Sequence, residues 1–131
     1  MSYKTKNFIT GSYEDINLYI QMKAIWNGKI IAHSDDVEEL DGTYYFPVDS
    51  IKKSYFLESE KTSVCPYKGK AHYYHIFVDG KLNEDAAWYY PEPKEFSYML
   101  KNKIAFWKGV EIKESDRKIQ LELLNILNSF F

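Results

Sequence analysis

"KAHYYHIFVDGKLNEDAAWYY", residues 70–90, decides the fold. Tyr, Phe, Val, Ile and Trp crowd both ends of the stretch, and these side chains suit a pleated, half-buried surface. Asp79-Gly80 divides it in the middle, so it reads as two strands joined by a tight turn. The stretches around it follow the same logic. "MKAIWNGKIIAHS" (22–34) is a second hairpin, turning at Asn27-Gly28, a pair that accepts positive φ in a type I′ turn, with Asp35 and Asp36 closing it. "DGTYYFPV" (41–48) opens on Asp41-Gly42 and continues as an aromatic strand ending at Pro47. "DSIKKSYFLE" (49–58) reads as a helical turn passing into a strand, and "KIAFWKGVEI" (103–112) as strand broken at Gly109.

Two segments read as helix. "PEPKEFSYMLK" (91–101) has prolines suited to a turn or helix start, with Phe96, Met99 and Leu100 at helical spacing. "SDRKIQLELLNILNSFF" (115–131) sets Ile119, Leu123, Ile126, Leu127 and Phe130 at three- and four-residue intervals, with Ser115 as N-cap. That stripe is expected to pack on the protein's own sheet. A homodimer contact is the second reading, because two terminal Phe are more apolar than a free chain end tolerates. Residues 1–21 read as a loosely specified arm. The fold class is mainly β with helical decoration, in a single domain over 1–131.

Bulk properties narrow the function. The 131 residues hold 45% apolar and 27% charged side chains with twelve Tyr, ordinary for a globular protein apart from the aromatic share of 18%. Net charge is −2, and sixteen Lys accompany a single Arg, Arg117. Nucleic-acid binding needs clustered cations to replace counterions, so it is not expected. A lone cysteine cannot form an internal disulfide, which points to a reducing compartment. No run approaches the ~20 apolar residues of a membrane span, and no cleavable leader is legible at the amino terminus. A cytoplasmic protein without membrane contact is the simplest expectation.

Chemistry is expected around "SVCPYKGK" (63–70). Pro66 biases Cys65 toward extended backbone, and Gly69 permits a left-handed turn, so thiol and Lys68 amine share a loop of few conformations. A nearby ammonium favours thiolate and sharpens its nucleophilicity. The simpler reading makes Cys65 a small apolar filler, as most lone cysteines are. In "AAWYYPEP" (86–93), Trp88 and Tyr90 share one strand face while Tyr89 points away; Tyr44 and Phe46 likewise oppose Tyr45. Such rings are either sheet packing or the walls of a small-ligand site.

Other chemistries fare worse. His72 and His75 fall on opposite strand faces, and with His33 elsewhere no metal-ligand spacing exists, so no metal or cofactor is expected. Asp35-Asp36 and Glu38-Glu39 read as solvated turn residues, and Glu84-Asp85 as surface charge. "GSYEDINL" (11–18) resembles the Gly-Ser plus acidic-pair signature of nucleotidyltransferases. Asp15 follows Ser12 too closely, however, and Asn17 replaces the second carboxylate.

Taken together, "AIWNGKIIAHSDD", "YYFPVDSI", "TSVCPYKGKAHYY", "NEDAAWYYPEP" and "IAFWKGVEI" resemble, in this order and spacing, the domain of unknown function 427 family over about residues 23–112. The resemblance implies a β-tent of two antiparallel sheets pinned at one edge. Related β-tents carry zinc on paired Cys-x-x-Cys motifs, which this chain lacks. It further implies that the signatures converge on one cleft: Tyr45, Phe46 and Pro47; Cys65, Pro66, Lys68 and Gly69; Tyr73, Trp88, Tyr90 and Pro91. Cys65 and Lys68 would be the reactive pair, with Tyr45, Tyr73, Trp88, Tyr90, Pro66 and Gly69 binding a planar or anionic small molecule. An interaction domain is the alternative, and nucleotidyl transfer, a label sometimes given to the family, a further one.

Overall fold

The computed structural model describes residues 4–6, 13–15, 21–114 and 125–129. Eleven strands are formed among them: β1 (Lys4–Lys6), β2 (Tyr13–Asp15), β3 (Met22–Trp26), β4 (Lys29–Ser34), β5 (Glu38–Leu40), β6 (Thr43–Pro47), β7 (Phe56–Cys65), β8 (Gly69–Val78), β9 (Lys81–Tyr89), β10 (Lys103–Phe106) and β11 (Glu111–Glu114). They build a six-stranded antiparallel sheet ordered β5-β6-β10-β9-β8-β7 and a three-stranded one ordered β11-β3-β4. β1 and β2 pair separately. The mainly β architecture of two antiparallel sheets is the one expected.

The turns follow from backbone chemistry. Asn27-Gly28, Asp41-Gly42 and Asp79-Gly80 all hold positive φ at both positions, as two-residue hairpin turns require. Trp107 to Gly109 turns the chain from β10 in the large sheet to β11 in the small one, with Lys108 and Gly109 at φ 54° and 85°. Lys52 donates its backbone N–H to the Ile31 carbonyl at 2.8 Å, tying the segment after β6 to the small sheet.

Side-chain alternation gives the large sheet two different faces. Phe46, Ile76, Val78, Ala87, Ile104 and Phe106 meet Ala24, Ile31 and Ala32 of the small sheet, forming the principal core. The opposite face carries Tyr45, Ala71, Tyr90 and Ala105 under Leu100, with Leu40, Cys65, Tyr73 and Trp88 packed around them. Tyr44 and Tyr89 lie against the principal core while Tyr45, Trp88 and Tyr90 face the other way, as the alternation requires.

Three expectations need correction. Glu38-Glu39 are not turn residues; they lie in β5, a short charged strand at the sheet edge, where charge discourages pairing with other chains. Residues 63–65 are not loop, because β7 runs ten residues up to the cysteine. Residues Glu95–Leu100 form 3-10 turns kinked at Ser97 rather than a continuous amphipathic helix. Leu100 is fully buried there, whereas Phe96 is 91% exposed and Met99 about half exposed. Helical spacing therefore marked one packing residue and two solvent-facing ones.

Of the C-terminal helix, residues 125–129 are described and helical, with Ile126 and Leu127 exposed. Ser115, Ile119, Leu123 and Phe130 lie outside the described residues, as do Gly11, Ser12, Asn17 and most of the 1–21 arm. No helix among the described residues is long and apolar enough to cross a membrane.

Candidate functional site

Cys65 ends β7 and pairs with Gly69 at the start of β8, leaving Pro66, Tyr67 and Lys68 as the turn. The backbone N–H groups of Tyr67 and Lys68, in the turn that follows the strand end, favour the thiolate of Cys65. Pro66 contributes no N–H and holds φ, which orders the next two donors. The Cys65 thiol consequently lies below its ordinary pKa: the Tyr67 N–H contributes most, then the Lys68 N–H, then the Lys68 and Lys94 ammonium charges, with partial burial opposing them. Cys65 as a residue is half-buried.

The turn is clamped from two sides. The Lys68 ammonium meets Asp41 Oδ2 at 3.2 Å; its side chain is only 18% exposed, so the lysine is held against the β5–β6 turn. From the other side, the Lys94 N–H donates to the Lys68 carbonyl at 3.0 Å, and Lys94 Nζ donates to the Pro66 carbonyl at 2.7 Å. Gly69 takes φ +110°, and a Cβ there would stand 3.1 Å from the Glu92 carbonyl oxygen. The Cys-Pro-x-Lys-Gly motif thus needs its glycine for dihedral and for space.

The aromatic residues expected at the site are brought together on the same sheet face. Tyr45 packs edge-on to Trp88 with centroids 6.4 Å apart, and Trp88 packs edge-on to Trp107 at 5.9 Å. Tyr73 lies 6.5 Å from Trp107, shares a 2.8 Å hydrogen bond with Ser63, and carries Lys61 Nζ 5.2 Å above its ring. Their exposure differs from the expectation of open walls. Tyr45 is 2% and Tyr90 8% exposed, so both are packing residues, with Tyr73 and Trp88 half-buried. Burial raises the Tyr45 and Tyr90 phenols above their ordinary value, and the neighbouring Trp88 partly offsets this at Tyr45. Phe46 belongs to the principal core on the opposite face and joins no cleft with the others.

Open space lies beside the turn instead. One groove of about 590 Å³ is lined by Pro66, Tyr67, Lys94, Glu95, Phe96 and Ser97. Another of about 500 Å³ is lined by Gly69, Lys70, His72, Pro91, Glu92 and Lys94. Lys94 and Asp41 were not singled out from the sequence; the only signal was the placement of Lys94 after two prolines that fix its approach to the turn.

A second polar cluster sits on the same sheet. Asp85, at φ 54°, interrupts the β8–β9 register; its Oδ1 accepts from Ser59 Oγ at 2.5 Å and its N–H donates to His75 Nδ1 at 3.0 Å. The Trp107 indole N–H donates to the Asp85 carbonyl. Asp85 is therefore not simple surface charge, since it ties β7, β8 and Trp107 together, while Glu84 is exposed. Ser59 bonds Asp85 and not His75, so the trio lacks the nucleophile–base contact of a catalytic triad. No group of His, Cys, Asp and Glu among the described residues is arranged to hold a metal ion.

With fold and site in place, the chain's class is a mainly β domain with a clamped thiol-bearing turn beside an aromatic face. The family model for the domain of unknown function DUF427 matches residues 17–119. The chain belongs to that family. No curated protein matches it.

Proposed function

We propose that the protein is a small-molecule-binding domain whose ligand meets the Cys-Pro-x-Lys-Gly turn and the Cys65 thiolate it presents. One observation carries the reading: Cys65 opens a turn clamped by Lys68 and Lys94, and the Tyr67 and Lys68 N–H groups together with both ammonium charges favour its thiolate. A packing cysteine has no use for that arrangement, whereas a nucleophile or soft ligand for an electrophilic or anionic molecule does. Lys68 and Lys94 would hold the thiolate form, and the grooves beside the turn would receive the ligand. Keeping the thiol reduced fits a cytoplasmic setting.

Alkylation kinetics test this, since Cys65 is the chain's one cysteine. The rate with iodoacetamide should follow an apparent pKa below the ~8.5 of free cysteine and move upward in Lys68→Met. A wild-type profile matching free cysteine, or alkylation so slow that only unfolding exposes the sulfur, would remove the reading.

A homodimer contact through the C-terminal helix is the second reading, favoured by the exposure of Ile126 and Leu127 at 52% and 56%. Light scattering on the chain truncated after residue 114 decides it: a dimer that becomes a folded monomer supports the contact, and an unchanged mass removes it.

A further inference from the structure

The groove beside the turn has a composition that selects its occupant. Two of its lining residues, Tyr67 and Phe96, stand 80% and 91% exposed on separate elements, one in the β7–β8 turn and one in the 3-10 segment. Among the described residues neither ring touches another ring, although eight ring pairs occur elsewhere in the molecule. Ser97 lines the same groove, 5% exposed, with no hydrogen bond from its hydroxyl to any described residue. A buried hydroxyl without a partner is costly, so a donor or acceptor is wanted there.

Charge narrows the occupant further. Lys94 and Glu95 are the charged residues of the lining, and they cancel. The Lys94 ammonium already donates to the Pro66 carbonyl at 2.7 Å. A net anion therefore gains little, while a flat ring finds two unpaired aromatic faces and one hydroxyl. The volume of about 590 Å³ fits a molecule of one or two rings. The two segments that carry the walls are tied to each other by the Lys94–Lys68 and Lys94–Pro66 hydrogen bonds.

We propose that this groove binds a neutral planar aromatic molecule, held between Tyr67 and Phe96 and hydrogen-bonded at Ser97. The assignment rests on the small-molecule reading of the turn and replaces its anionic-or-planar ligand class with an uncharged ring carrying a hydrogen-bonding group.

Amide-resolved NMR titration of the full chain tests it, with indole as the neutral planar probe, benzoate as the anionic one and cyclohexanol as the non-planar one. Indole should shift the Tyr67, Phe96 and Ser97 amides saturably, and more tightly than benzoate or cyclohexanol. Phe96→Ala removes a side chain in open solvent and should keep the fold while weakening indole about tenfold; Ser97→Ala should weaken indole and not toluene. No saturable shift at these amides, tighter binding of benzoate, or indistinguishable binding of indole and cyclohexanol would each overturn the assignment. Shifts at Tyr67 and Phe96 that follow protein concentration alone would give the groove to a second copy, and would also overturn it. The thiol reading fails separately: it is lost if Cys65 alkylates like free cysteine even though indole binds, and it survives if alkylation is fast and indole does not bind.

Discussion

Gly69→Ala probes the clamp on the turn. Gly69 holds φ +110°, and an added Cβ would lie 3.1 Å from the Glu92 carbonyl oxygen, a backbone atom that cannot rotate away. The left-handed dihedral costs an L-residue about 1–2 kcal/mol. Moving the 91–94 segment to relieve the contact strains the Lys94-to-Lys68 backbone hydrogen bond, worth about 1 kcal/mol. Reduced freedom of the unfolded chain returns roughly 0.5 kcal/mol. The net loss is about 2 kcal/mol, or roughly 6–10 °C in Tm for a domain of this size. Gly80→Ala is the matched control, with φ +77° and nothing within 4 Å of its Cβ, so it carries the dihedral strain alone. Thermal melts followed by circular dichroism compare the two. Gly69→Ala should melt several degrees below Gly80→Ala and alkylate Cys65 more slowly at neutral pH, because the Tyr67 and Lys68 N–H donors lose their aim. Equal melting temperatures, or an unchanged alkylation rate beside a lowered Tm, would refute the coupling of clamp and thiol.

Further outcomes follow from the same contacts. Asp41→Asn removes the exposed partner of Lys68 and should cost under about 1 kcal/mol in a denaturant titration, since one member of the pair is well solvated. It should also quicken Cys65 alkylation, because the Lys68 charge is no longer shared. Leu100→Ala opens a cavity under the 3-10 segment and should destabilise by about 2–5 kcal/mol in the same assay. Burial holds Tyr45, Tyr74 and Tyr90 above the ordinary phenol value of 10.0, so their neutral-form stability is full below that pH and lost as pH rises through the raised values. Alkaline unfolding followed by circular dichroism and phenolate absorbance should therefore shift to higher pH in Tyr45→Phe.

Hairpins were legible because their turns are local chemistry: Asn-Gly and Asp-Gly set three of them without help from the rest of the chain. Facing was legible too, since Tyr44-Tyr45-Phe46 and Trp88-Tyr89-Tyr90 lie in unbroken alternation. β7 was not, because "FLESEKTSVC" is polar and its register slips between Glu58 and Thr62, which erases the two-residue period. Nor were the distant partners. Asp41 reaches Lys68, and Lys94 reaches Pro66, across 27 and 28 residues, separations that no short motif spans. The shared sheet face of Tyr45, Trp88 and Tyr90 was readable from alternation, but burial of Tyr45 and Tyr90 depended on Leu100 closing over them, and kinked 3-10 turns leave no periodic trace.

The central claim is that the turn holds Cys65 as a thiolate more readily than water does, and the chain's one cysteine makes it directly measurable. Titrating the ¹³Cβ resonance of labelled Cys65 against pH should give a midpoint below the ~8.5 of free cysteine, returning toward it in Gly69→Ala. A midpoint at or above that of free cysteine in the folded wild-type protein would contradict the account.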